Sequence, residues 1–179
     1  YVSLTFDDGF EECYLTIAPI IEKYGSKGAF FINANYIESN IDYQKKFHER
    51  TKTYTKKPMS WDQVIDLHNR GHLIGSHNLD HTNMSNLNEE ELNFQLKENK
   101  KILENKLKYN CEYFAWTYGE MQHFSQQALE KTIIHHKYIF SGTNYKKYHS
   151  MNGKVYNRRH IEPFWNRKHM NYFLSVNKK

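Results

Sequence analysis

Residues 60–81, SWDQVIDLHNRGHLIGSHNLDH, contain one complete helix–strand unit followed by a polar loop. Ser60 with Gln63 three residues later forms a capping box. Val64, Ile65 and Leu67 supply one apolar helical face, and Gly71 stops the helix. His72 to Ser76 is the short apolar run of a buried strand, after which the chain turns polar at His77-Asn78-Leu79-Asp80-His81. The same unit repeats in both directions. Upstream, Val2 to Phe6 alternates as a first strand. Glu12 to Tyr24 places Ile17, Ile20, Ile21 and Tyr24 on one helical face before Gly25, and Gly28 to Ile32 is a second strand. Downstream, Asn88 and Glu91 cap a longer helix carrying Leu92, Leu96, Leu103 and Leu107. Tyr113 to Trp116, Tyr138 to Ser141 and Lys154 to Ile161 read as strands, with a helix over Ser125 to His136. Repeated strand–helix units predict an α/β fold: a mostly parallel sheet, open or curled into a distorted (β/α) barrel, with its chemistry at the C-terminal ends of the strands. Glu38 to Met59 has no clear periodicity and is expected to be a long, basic loop insertion.

The chain of 179 residues suits one domain with a real core, taken here as 1–179. With 39% hydrophobic and 25% charged residues the composition is globular rather than disordered. No apolar run approaches the ~18 residues of a membrane span. Tyr1 already stands in a strand with no leader before it, which leaves export open; a cell-envelope or secreted setting is favoured over the cytoplasm. Cys13 and Cys111 make no disulfide framework and read as small apolar residues. The net charge of +5 is concentrated: Gln44 to Lys57 has six basic residues against Glu49, and Lys146 to His169 has seven against Glu162. Such segments attract anionic glycans, phosphate groups or a membrane surface, or are simply solvated loops. No zinc-finger, helix-turn-helix or RNA-binding signature accompanies them, so a nucleic-acid partner is not expected.

Three strand ends deliver chemistry to one rim. The first ends in Thr5-Phe6-Asp7-Asp8-Gly9, the third in His77 and His81, and the fourth in Trp116-Thr117-Tyr118-Gly119-Glu120. Two imidazoles and a carboxylate are a common catalytic set for a divalent metal, with coordination positions left open. Of two adjacent aspartates at a bend, one can bind the ion while the other takes a proton from an activated water. Zinc is the default, and cobalt, nickel or iron would fit the same ligands.

TFDDG, SHxxxH after a Gly-His-x-Ile-Gly strand, and a WxYGE turn together resemble the polysaccharide deacetylase family with the NodB homology domain, carbohydrate esterase family 4. The likeness runs over nearly the whole chain and includes Trp61 and the Gly28-Ala29-Phe30-Phe31-Ile32 strand. The WxYGE turn resembles most the branch acting on poly-N-acetylglucosamine and envelope sugars. The resemblance implies a metal-dependent removal of acetyl from an N-acetylated amino sugar, and the basic segments then favour a glycan that is anionic or lipid-linked. It makes Asp7 the catalytic base, and Asp8, His77 and His81 the metal ligands. Tyr118 is implied as the residue whose backbone N–H holds the oxyanion. The family's base-orienting arginine is replaced by Ala115, its proline by Thr117, and no Asp-x-x-Asp-Trp motif is present. Arg159 is a candidate for the orienting role. His160 is the first candidate for the general acid, with His149 and His169 as alternatives. Trp116 reads as core rather than as a sugar platform, and the His135-His136 pair as surface or packing. The alternatives are a glycan-binding domain without catalysis and a hydrolase of a non-sugar amide.

Overall fold

The computed structural model describes residues 2–142, 150–162 and 164–175. Its six strands are β1 (Thr5–Phe6), β2 (Ala29–Ile32), β3 (Leu73–Ser76), β4 (Tyr113–Ala115), β5 (Tyr138–Ser141) and β6 (Val155–Asn157). They lie in sequence order, each parallel to its neighbour, in one sheet that curls into a half-barrel. The register pairs Ile32 with Ser76, Ser76 with Phe114, Ala115 with Phe140 and Ser141 with Asn157. Strand ends are therefore level, and whatever follows each strand emerges on one rim.

The helices are α1 (Ala18–Lys23), α2 (Ile41–Thr51), α3 (Trp61–Asn69), α4 (Glu89–Leu107), α5 (Gln126–His135) and α6 (Arg167–Ser175). Both capping boxes read from the sequence are present, Ser60 with Gln63 and Asn88 with Glu91. The first helix differs from expectation in opening with a π-helical turn, Cys13–Ile17. Pro19, at the start of α1, has no N–H to give an α-turn there. The expected loop over 38–59 instead contains α2, capped by the Asn40 side chain on the Tyr43 N–H at 2.9 Å. Its sequence, Ile41 to Thr51, is so polar that only Phe47 and His48 are buried, too few for a visible period.

Two apolar clusters sit between sheet and helices. One joins Phe30, Ile32 and Ile74 to Val64 and Leu67 of α3, and the other joins Phe114, Ile139 and Val155 to Ala128 and Leu129 of α5. Helix α4 spans both, giving Leu103 and Leu107 to the first and Leu92 and Leu96 to the second. Trp116 is core, stacked on Phe124 at 4.2 Å. Both cysteines are free and buried, and burial pushes the Cys111 thiol up to about 11.

Midway along α4 a polar residue ties the sheet to the helix. Asn99 is fully buried; its Oδ1 accepts from the Ala34 N–H at 2.8 Å, and its Nδ2 donates to the Ile32 carbonyl at 2.9 Å and to Ser76 Oγ at 2.8 Å. Asn99→Ala leaves the Ala34 N–H buried without its acceptor, at about 1–3 kcal/mol, and removes the bond to Ser76 Oγ, while the Ile32 carbonyl still accepts from the His77 N–H at 3.0 Å. The expected result is a loss of at least ~2 kcal/mol in urea unfolding, a larger effect than a surface Asn→Ala gives.

His136, packed on Phe114 at 5.1 Å, has both ring nitrogens buried without a hydrogen-bond partner among the described residues, and burial pushes its pKa down to about 3. The unfolded chain takes up this proton near 6.5, the folded chain only near 3, so this residue's effect is to lower stability as pH falls through that window. Thermal unfolding from neutral pH to about pH 4 is expected to show a shallower acid-side decline in His136→Leu than in the parent chain.

Candidate functional site

The bend after β1 places two carboxylates differently. Asp8 takes a left-handed conformation at φ 79°, followed by Gly9 at φ 92°, so adjacent side chains need not alternate across the strand. Asn33 secures the chain after β3 by donating to the His77 carbonyl and, at 2.9 Å, to the Asn78 carbonyl. His81 also adopts positive φ, 54°, which curls the loop enough to return its ring toward His77. The two rings lie 5.2 Å apart.

Asp8 Oδ1 stands 3.4 Å from His77 Nε2 and 3.2 Å from His81 Nε2. The three ligand atoms offered by Asp8, His77 and His81 all lie within 4.8 Å of one another. The donor set suits a divalent cation on three grounds. Asp8 Oδ1 is buried without a hydrogen-bond partner among the described residues. His77 Nδ1 is 2.7 Å from the Ala115 carbonyl, which can only accept, so Nδ1 has the proton and Nε2 keeps its lone pair. Burial opposes charge on His77, yet Asp7 and Asp8 raise its pKa, so the surroundings favour a cation at this point. Burial likewise opposes charge on Asp8, but His81 and His77 hold its carboxyl well below the usual range. Two imidazole nitrogens and one carboxylate oxygen match zinc.

Asp7 faces a different partner. Arg158, just past β6, donates from Nη1 and Nη2 to the two oxygens of Asp7, each at 2.7 Å. The same guanidinium donates to the Ser141 carbonyl at 2.6 Å and to Thr5 Oγ1 at 3.1 Å, and its Cζ lies 5.3 Å from the centre of the Phe31 ring. Burial pushes the Asp7 carboxyl up, but Arg158, then His77, outweigh it and hold the group below the ordinary value. Asp7 Oδ2 is 4.0 Å from His77 Nε2, adjoining the cluster.

Tyr118 sits on the turn after β4 at φ 61°, its ring edge-on to His81 at 4.6 Å and 39% exposed. Gly119 follows because a Cβ there would lie 2.7 Å from Gly142 Cα; backbone from the ends of β4 and β5 touches at this point. Among the described residues none accepts a hydrogen bond from the Tyr118 N–H.

The candidates Asp7, Asp8, His77, His81 and Tyr118 thus meet on one rim. His160 lies beyond β6 with its imidazole 56% exposed, 2.5 Å from Glu162. His169 lies in α6 against Trp165 at 4.5 Å, and His149 lies outside the described residues. The arginine on Asp7 is Arg158 rather than Arg159, whose Nη1 donates to the Phe173 carbonyl. β6 ends at Asn157, so the register of the short strand, invisible in Arg158-Arg159, decides which side chain turns inward. Asn33 and Asn99 also went unread, since an asparagine inside an apolar pattern shows its partners only in three dimensions.

The sequence profile described as polysaccharide deacetylase matches residues 1–135, and the chain belongs to that family. It is 28% identical over 149 residues to a chitin deacetylase of Arthroderma benhamiae, covering 80% of this chain and 33% of that protein. It is 25% identical over 131 residues to YxkH of Bacillus subtilis (strain 168), covering 73% of this chain and 41% of that one. The chain therefore spans between a third and about two fifths of the length of these curated relatives. Among solved structures, the Streptococcus pyogenes deacetylase PplD in complex with acetate superposes with a TM-score of 0.77 at 19% identity, covering 98% of this chain and 70% of that chain. IcaB from Ammonifex degensii gives 0.72 at 18%, covering 90% and 68%. At such identities the likeness is one of fold.

The bidentate pair between Arg158 and Asp7 should be measurable without any substrate. In a double-mutant cycle, Arg158→Gln and Asp7→Asn are expected to couple by about 1–3 kcal/mol in urea unfolding, less than a fully desolvated pair because Asp7 retains 30% exposure. Additive effects would mean that the pair contributes nothing to closing this edge of the sheet.

Proposed function

We propose that the chain is a metal-dependent N-deacetylase acting on an N-acetylated amino sugar within a polysaccharide or envelope glycan. The observation that carries this reading is the placement of Asp7, clamped by Arg158, beside the Asp8–His77–His81 cluster on the rim of this fold. Asp8, His77 and His81 are the residues that would hold the ion, zinc by default. Bound there, a divalent ion supplies Lewis-acid polarisation of an amide carbonyl and lowers the pKa of a water toward neutrality.

The remaining work falls to the chain's own groups. Asp7 stays ionised at neutral pH, ready to take the proton of the attacking water, and Arg158 fixes the orientation of its two oxygens. The Tyr118 N–H, unspent within the described residues, receives the oxyanion as the carbonyl carbon becomes tetrahedral. Collapse breaks the C–N bond, acetate forms, and the amine departs with a proton. His160 is the proposed donor. The exposed lysines of α2 favour an anionic or lipid-linked glycan, and with it a place at the cell envelope or outside the cell. Among the described residues no helix is long and apolar enough to cross a membrane.

The test is acetate release from N-acetylhexosamine oligomers and phosphate-linked amino sugars, with protein stripped of metal and then reloaded with zinc. Activity is expected to vanish on stripping and to return with zinc. Asp7→Asn should lower kcat by about 10³-fold while still binding the ion, and His160→Gln by about 10²-fold. A chain that binds zinc yet releases no acetate from any sugar overturns the reading in favour of a binding domain or a hydrolase of another amide. An unchanged rate in His160→Gln removes that histidine from the mechanism.

A further inference from the structure

Helix α2 ends beside the candidate site. Arg50, in its last turn, lies over the rings of Tyr43 and Phe47, with Cζ 5.7 and 5.8 Å from their centroids. Phe47 is fully buried, and its ring meets that of His81 at 5.8 Å. Tyr118 packs against the same His81 ring at 4.6 Å. Arg50 is therefore a cation at the edge of the site, across Phe47 from the Asp8–His77–His81 cluster.

Its guanidinium is unfinished. Nε and Nη2 are both buried without a hydrogen-bond partner among the described residues. No carboxylate among the described residues pairs with it. Asp80, reached by the Tyr43 hydroxyl at 2.6 Å, is already met by Asn35 at 2.8 Å and Gln95 at 2.7 Å, and Asp42 pairs instead with Lys45 at 3.4 Å. Leaving charged donors out of water without an acceptor is costly, and the fork of a guanidinium matches the two oxygens of a carboxylate or phosphate. Lys45, Lys46 and Lys52 are exposed around it and attract the same charge from a distance.

We propose that Arg50 is a specificity-determining residue that binds an anionic group, phosphate or carboxylate, carried by the glycan close to its N-acetylated sugar. This rests on the deacetylase reading for its substrate, but the anion site itself can be read without turnover.

Two measurements on the zinc-loaded protein test it. The first compares kcat/KM for a neutral N-acetylglucosamine oligomer with that for the same oligomer bearing a 6-phosphate or a glucuronate neighbour. The parent chain is expected to prefer one charged substrate by about tenfold or more, chiefly through KM. Arg50→Gln should reduce this preference to within about threefold, Arg50→Lys to an intermediate value, and Lys46→Gln should lower it far less than Arg50→Gln does. The phosphate and glucuronate arms identify which anion is read. A parent without preference, or Arg50→Gln with its preference intact, overturns the proposal. The second measurement follows the NMR signal of the Arg50 Nε–H during titration with inorganic phosphate and with glucuronate. A saturating shift with either is expected, and no shift with both overturns the proposal. If no sugar releases acetate, the deacetylase reading fails while this titration still decides the anion site. Thermal unfolding of Arg50→Gln and Arg50→Lys separates lost recognition from lost fold.

Discussion

Arg158 holds both oxygens of Asp7, and through that one guanidinium the last strand of the sheet reaches back to the first. A sheet of six parallel strands in sequence order leaves β1 and β6 as its edges, and β1 has only two residues. The seam between those edges is joined at the rim by side chains: Arg158 spans Asp7, Thr5 and the Ser141 carbonyl, and lies over Phe31. Charge neutralisation of a half-buried carboxylate and closure of the barrel wall are thus the same contact. Pairing keeps Asp7 ionised despite burial, while the neighbouring Asp8 has no such partner and turns toward the imidazoles.

The rest of the site is built from backbone that ordinary side chains adopt at some cost. Asp8, His81 and Tyr118 all have positive φ, and each lies on a bend that points a functional group at the common centre. Buried hydrogen bonds hold these bends. Asn33 grips the turn after β3, and Asn99 fastens the ends of β2 and β3 to α4. Helix α4 is itself anchored in both apolar clusters, so positions at the rim are referred to the whole core.

Helix α2 stands beside the rim cluster. The helix carries a basic surface, inserts Phe47 against His81 and lays Arg50 over the Phe47 ring. Its buried face is small and mostly aromatic: Tyr36 stacks on Phe47 at 3.8 Å, and Phe10 meets both rings edge-on. That arrangement places a charged residue one ring away from the Asp8–His77–His81 cluster.

The sequence alone determined the alternation of strands and helices, the caps at Ser60 and Asn88, and the meeting of Asp7, Asp8, His77, His81 and Tyr118 at strand ends. These are local patterns plus one topological rule, and residues within a few positions of each other dictate them. Only the tertiary structure decided the rest. The choice of Arg158 over Arg159 follows from where a three-residue strand stops and which side chain then points inward. Helix α2 leaves no period in the sequence because Phe47 and His48 are its only buried residues, and the aromatic rings that hold it come partly from Phe10 and Tyr36, distant in sequence. The roles of Asn33, Asn99 and Arg50 are invisible in one dimension for the same reason. A buried polar side chain is defined by its partners, or by their absence, and those are set by contacts between segments remote in sequence.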